Sequence, residues 1–256
     1  MAYRHILLDR QGDFATVTMN RPERRNALSL AHMIELTDAF KAIARSDAKG
    51  VIVAGNGPVF SAGHDFADMA GADLAAMRAL LRQCVEMMDA VQAMPQVVLA
   101  RVHALATAAG CQLVASCDLA VAADSAAFAL PGGKGGWFCH TPLVAVTRNI
   151  GRKRALEMAL TGDPIDAATA ADWGLVNKVV PAAQLEEEAL ALLQRATRGS
   201  ALSKGMGKQG FYAQVDLDQH KAYAYALELM ASTSQTPDAQ ERIAAFMEKR
   251  PPRLAG

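Results

Sequence analysis

The sequence predicts an α/β fold, with strand–strand–helix units through about residue 180 and helices alone after that. Three observations predict it. Val51–Ala54 and Val97–Val102 are short and almost wholly apolar, as strands covered on both faces are. Residues 73–93 place Leu74, Met77, Leu80, Leu81, Cys84, Met87, Met88 and Val91 at helical spacing. From about Cys139 the pattern turns mainly helical.

In order along the chain, residues 5–9 and 14–19 read as two strands joined by a Gln11-Gly12-Asp13 turn. Ser29 can cap a helix running to about Arg45, with Leu30, Met33, Ile34, Leu36, Thr37 and Phe40 on its apolar side. A strand at 51–54 leads into a loop over 55–71, and Pro95 stops the 73–93 helix. The strand 97–102 precedes a small-residue stretch, 104–110, where a short helix carrying Gln112, Leu113 and Val114 should begin. Strands follow at 119–122 and 127–130, then a glycine-rich loop at 131–136. Helices are predicted at 142–150, 152–161, 167–172, 184–198, 203–213, 218–234 and 238–248, interrupted by a strand at 175–180. The alternation suits a spiral of similar units.

The 256 residues carry 26 Lys+Arg and 26 Asp+Glu, so there is no global field to draw nucleic acid or a membrane surface. Anion recognition must be local. Cys84, Cys111, Cys117 and Cys139 form no C-x-x-C pair and read as buried free thiols in a reducing compartment. Met1–Arg10 has no apolar signal core, and no apolar run reaches the ~20 residues of a membrane span. A cytoplasmic protein is expected, with organelle import left open. No P-loop, no G-x-G-x-x-G after a strand, no H-E-x-x-H and no basic helix is present, so nothing supports nucleotide hydrolysis, a redox cofactor, a metal or nucleic acid.

Two stretches point to chemistry. Phe60-Ser61-Ala62-Gly63-His64-Asp65 follows a buried strand through a glycine-rich turn, which can leave backbone N–H groups facing a ligand. Ala104 to Gln112 is a run of small residues at a helix start, where free N–H groups and the positive end of the helix dipole can face a closely approaching group. Two such donors on one oxygen would make an oxyanion hole. Taken singly, each stretch is a weak signal, since small residues at a helix start more often mean close packing.

Together the motifs resemble the crotonase superfamily, the enoyl-CoA hydratase/isomerase family. The matching segments are Asn20–Leu28, Phe60–Asp65, Ala108–Gln112, Cys117–Ala120, Phe128–Pro131, Gly151–Ala155, Leu160–Gly162 and Trp173–Asn177, in family order and spacing. A subgroup shares the histidine after Gly63, the Ala106–Gln112 stretch and a Phe-Cys before Thr141-Pro142. The resemblance implies a crotonase-like spiral of β-β-α units over 1–195 and a helical trimerisation region over 196–256. It also implies a homotrimer or a hexamer of paired trimers. The implied ligand is an acyl-CoA thioester, with CoA part of the substrate and no separate cofactor. Its oxyanion donors fall on the backbone N–H groups of His64 and Ala109. The CoA segment falls on Arg24, Arg25, Ala27, Ala62, Gly63, His64, Asp65 and Phe66. Lys204 or Lys208 of a neighbouring copy could add a phosphate contact.

The pattern breaks where the family's hydratases carry two glutamates, because Gln112 and Gly132 stand there. Neither can act as a general acid or base, a role worth about 10²–10⁴ in rate. His140, eight residues past Gly132, is the replacement base the sequence offers, since histidine exchanges protons near neutral pH. The His64 side chain, Cys111 and Cys139 are further candidates, and Asp65 and Asp68 read as loop caps. Three functions stay open: a hydratase/isomerase-type enzyme, a non-catalytic acyl-CoA-binding module, or a same-fold thioester hydrolase, decarboxylase or isomerase.

Overall fold

A computed structural model describes residues 3–254. In chain order they form β1 (Ile6–Gln11), β2 (Phe14–Met19), α1 (Leu30–Ala44), β3 (Gly50–Gly55), α2 (Leu74–Ala93), β4 (Val97–Val102), β5 (Ala106–Thr107), α3 (Ala109–Ser116), β6 (Leu119–Ala123) and β7 (Ala127–Ala129). They continue as α4 (His140–Val146), α5 (Arg152–Thr161), β8 (Ile165–Asp166), α6 (Ala167–Trp173), β9 (Lys178–Val180), α7 (Leu185–Ala196), α8 (Ala201–Gln214), α9 (Gln219–Thr233) and α10 (Pro237–Met247).

The large sheet has the order β1-β2-β3-β4-β6-β9, with β1 antiparallel to β2 and every later pair parallel. A second sheet joins β5, β7 and β8. Two isolated bridges, Leu28 with His64 and Ser61 with Ala106, carry that second sheet back along the chain. Successive turns therefore add a strand to the large sheet and a strand or bridge to the small one. This is the spiral that the alternation suggested.

Side-chain alternation explains the burial of the large sheet. Val51, Val53, Val98, Ala100 and Val102 face the main core with α1 and α2, while Ile52, Ala54, Leu99, Val121 and Ala123 face a smaller cluster closed by Leu185, Ala189 and Leu193 of α7. A parallel sheet covered on both faces reads as an unbroken apolar run, which is how these strands look in sequence. The Ser29 hydroxyl accepts from the His32 N–H at 3.2 Å, and the Asp73 carboxylate accepts from Ala76 at 2.8 Å, so α1 and α2 start where those caps lie.

Beyond α7 the helices leave the core. Among the described residues α8 is held by Lys208, whose ammonium donates to Asp118 at 2.7 Å and to the carbonyls of Val91 and Gln96. Tyr212 adds a hydrogen bond to the other Asp118 oxygen at 2.9 Å. Lys208 is therefore sequestered inside its own subunit, which corrects the expectation that it could reach a neighbour's phosphate. None of α9 is buried.

Some boundaries differ from expectation. The helix expected at 142–150 is α4, starting at His140 and ending at Val146. The strand expected at 175–180 keeps only 178–180, because Gly174 caps α6 and Leu175 and Val176 enter the core outside a strand. The two-residue strands β5 and β8 were not anticipated. Among the described residues no helix is long and apolar enough to cross a membrane.

Candidate active site

The small sheet brings three segments to the start of α3. The Ser61 N–H reaches the Leu105 carbonyl at 3.3 Å, and the Thr107 N–H reaches the Ser61 carbonyl at 3.0 Å. These bonds lay the Ser61–Asp65 loop beside Ala106–Ala109. On its other side the loop is fixed by Leu28, whose N–H donates to Gly63 at 2.7 Å and whose carbonyl accepts from Asp65 at 3.3 Å. A parallel bridge of this kind uses the groups flanking His64, so His64's own N–H turns the opposite way. Gly63 adopts φ +83, and a β-carbon on it would stand 2.9 Å from the Ala108 β-carbon and 3.2 Å from the Ala109 nitrogen. That closeness requires glycine.

Ala108 has φ 50 and ψ −119, an uncommon conformation for alanine, and its N–H is tied to the Ala129 carbonyl at 2.9 Å. The turn costs roughly 1–3 kcal/mol and makes Ala109 the first residue of α3, whose N–H has no partner within the helix. Among the described residues neither the His64 nor the Ala109 N–H has an acceptor. Both residues line one cavity of about 380 Å³.

Phe66, Leu81, Pro131, Trp137, Phe138 and Pro142 make most of the cavity wall apolar, and His64, Thr107, Cys139, His140 and Thr141 supply its polar side chains. No Asp or Glu lines it among the described residues. Through Ala62, His64 and Phe66 the cavity runs into an open groove of about 330 Å³ formed also by Glu23, Arg24, Arg25, Ala27 and Asp65. Seven of the eight residues expected at a CoA segment thus meet in one groove. Gly63 lies outside it, packed beneath Ala108.

Asp65 organises that groove. It is 5% exposed and accepts from Ala67, from Arg24 at 2.9 Å and from Arg21 at 3.2 Å. Burial alone would raise its pKa, but these bonds outweigh burial and hold the carboxyl below its ordinary range. Asp68 accepts from the Leu30 N–H at 2.6 Å, so both acids are the loop caps their sequence suggested.

The glutamate-replacing positions lie differently. Gly132 is on the wall, but its side-chain space is filled: a β-carbon there would meet the Trp137 carbonyl at 2.2 Å and the Cys139 sulfur at 2.8 Å. Gln112 is 5% exposed, is not part of the wall, and its Oε1 accepts from the Cys84 thiol at 3.9 Å. Its amide packs between α3 and α2, which leaves it badly placed to orient water or substrate in the cavity. His140 opens α4 on the wall, with its ring 5.1 Å from that of Phe138.

Burial pushes the His64 imidazole below its ordinary pKa, with the Leu28 backbone and the Asp68 carboxylate pulling the other way. Burial also raises the Cys139 thiol, against the Gly132 N–H that it accepts at 3.3 Å, and raises Cys111 to about 12. Neither cysteine is thereby a ready nucleophile. In sequence Leu81 is a helix-face residue and Thr107 and Ala108 belong to the small-residue stretch, and nothing there marks them as lining a cavity. A strained alanine and a threonine in a two-residue strand leave no periodic signal.

Fold and site together define a crotonase-type protein. Residues 9–256 match the enoyl-CoA hydratase/isomerase family, and the chain belongs to it. It is 43% identical over 244 residues to enoyl-CoA hydratase domain-containing protein 3, mitochondrial, of Rattus norvegicus, covering 94% of this chain and 81% of that one. A crystal structure of enoyl-CoA hydratase from Mycobacterium smegmatis superposes with a TM-score of 0.95 at 42% identity, over 99% of this chain and 100% of that one. Human enoyl-CoA hydratase domain-containing protein 3 gives 0.94 at 39%, over 98% and 100%.

Proposed function

We propose that the protein binds an acyl-CoA thioester with its carbonyl oxygen between the His64 and Ala109 N–H groups, and stabilises the enolate formed when a proton leaves the α-carbon. The observation that carries this reading is that, among the described residues, the two residues with unpartnered N–H groups line one cavity. Such donors strengthen as charge develops on the oxygen, and each is worth about 10²–10³ in rate. Arg25, exposed beside the groove, and Arg24, tethered by Asp65, are placed to meet the CoA phosphates. His140 is the base: burial disfavours protonation of His64 and ionisation of Cys139, and no carboxylate lines the wall among the described residues. Hydratase work by two glutamates is not part of this reading.

A second reading, a non-catalytic acyl-CoA-binding module, draws support from the closed space at Gly132. Deuterium exchange at C2 of butyryl-CoA in D₂O, with calorimetric binding on the same sample, separates them. Exchange that falls in His140→Ala supports the enzyme, and binding without exchange supports the module. Absence of acyl-CoA binding overturns both.

The exposed Tyr223, Leu227 and Met230 of α9 and Phe211 of α8 leave a large apolar face in one copy of the chain. Self-association into a trimer or a pair of trimers covers it, and light scattering that gives a monomer would contradict this. The buried free thiols support a reducing compartment, and a cytoplasmic site is our reading.

A further inference from the structure

Asp65 holds two arginines that differ in exposure. The Arg21 side chain is 13% exposed and that of Arg24 50%, against 6% for Asp65 itself. Arg24 lines the open groove and Arg21 does not. The Arg21 guanidinium has three partners: one nitrogen donates to the Ala27 carbonyl at 2.7 Å and to the Ser29 hydroxyl at 3.0 Å, and another to Asp65 Oδ2 at 3.2 Å. It therefore ties the start of α1 to the loop that follows His64. Among the described residues the Arg24 guanidinium has one acceptor, Asp65 Oδ1 at 2.9 Å, an oxygen that the Ala67 N–H also reaches at 3.1 Å.

The two bonds differ in what releases them. Arg21 cannot leave Asp65 without disturbing its other two acceptors. Arg24 can turn into the groove at the loss of one partly solvated pair, which is worth little. Asp65 would then be a buried anion short of a cation, and an unpaired buried charge is costly. Arg21 removes that cost, because it stays on Oδ2 while Ala67 stays on Oδ1. Resting on the acyl-CoA reading above, we propose that Arg21 is a positioning residue, the resident counter-charge of Asp65 that lets Arg24 pass from Asp65 to a phosphate of the incoming CoA thioester. Arg24 exchanges one anion for another, and the loop carrying His64 keeps its anchor throughout. Without Arg21, Asp65 retains Arg24 as its one cation and the phosphates lose a contact.

The test is calorimetric titration of butyryl-CoA and of butyryl-pantetheine, which carries the same thioester without phosphates, and the quantity read is the ratio of their affinities. Arg24→Ala is expected to lower that ratio about tenfold, the size of one charge-assisted hydrogen bond. In Arg21→Gln the ratio is expected to fall by a similar factor, and adding Arg24→Ala to it should lower the ratio little further. Losses that multiply in the double variant overturn the proposal, because Arg24 then reaches phosphate without Arg21. An Arg21→Gln protein that binds both thioesters more weakly at an unchanged ratio also overturns it, since that is the signature of a merely structural residue. Asp65→Asn keeps Arg21 and weakens the hold on Arg24, so its ratio should match or exceed that of the wild type; a fall as large as in Arg24→Ala counts against the exchange. A ratio that Arg24→Ala leaves unchanged overturns the exchange and leaves the acyl-CoA reading intact. Binding of neither thioester by the wild type removes both together.

Discussion

Gly63 and Ala109 are pressed together: a β-carbon on Gly63 would lie 3.2 Å from the Ala109 nitrogen. The two residues belong to different turns of the spiral, and their contact sets the spacing of the two free N–H groups. Gly63→Ala is expected to fold at a cost of roughly 1–3 kcal/mol, since φ +83 strains any L side chain. The displaced donor should cost about 10²–10³ in C2 exchange rate. Thermal melts and the exchange assay on one sample check both parts.

Gly132 and Gln112 predict an uninformative rescue. Because a β-carbon at Gly132 meets the Trp137 carbonyl at 2.2 Å, Gly132→Glu should destabilise by roughly 1–3 kcal/mol or more and gain no crotonyl-CoA hydration. Gln112→Glu adds a carboxylate beside Cys84, off the cavity wall, and should gain none either. Hydration followed by loss of the enoyl thioester absorbance measures each, and a gain in either would show that the wall is arranged differently.

His32 makes stability depend on pH. Burial lowers its pKa to about 4, with the Ala27 carbonyl opposing and Arg21 and His5 adding to the drop. The unfolded chain takes the proton near 6.5, so the contribution is complete above pH 6.5 and is lost as pH falls towards 4. Over that window it amounts to about 3 kcal/mol. Denaturant midpoints at a series of pH values should show this slope, and His32→Leu should flatten it.

Asp118 and Lys208 form a pair whose side chains are 15% and 7% exposed. Asp118→Ala leaves the Lys208 ammonium without its counter-charge and the Tyr212 hydroxyl without its acceptor, and should cost about 3–5 kcal/mol. Because the pair anchors α8, the same variant should weaken self-association. Chemical denaturation and light scattering read the two effects.

The elements that sequence revealed best are those whose pattern is local. α1 was expected from Ser29 to Arg45 and spans 30–44, and α2 was expected at 73–93 and spans 74–93, because caps and apolar spacing lie within each segment. β5 and β8, two residues each, exist through pairing with distant segments, β7 for both and Ser61 for β5, so nothing in their own residues marks them. At the site, small residues around Gly63 and Ala109 signalled close backbone approach. The direction of Gln112 was not legible, since spacing places it one turn beyond Ala109 but only packing against Cys84 turns it from the cavity. The closed space at Gly132 depends on the Trp137 backbone folding back, which glycine content alone does not reveal.

The proposed mechanism depends on a thioester carbonyl held between the His64 and Ala109 N–H groups. Difference infrared spectroscopy of butyryl-CoA carrying ¹³C at the thioester carbonyl measures this directly. Two donors on one oxygen predict a bound C=O stretch at clearly lower frequency than in water, with the shift lost in Gly63→Ala. A bound ligand whose carbonyl stretch stays at its aqueous frequency would contradict it.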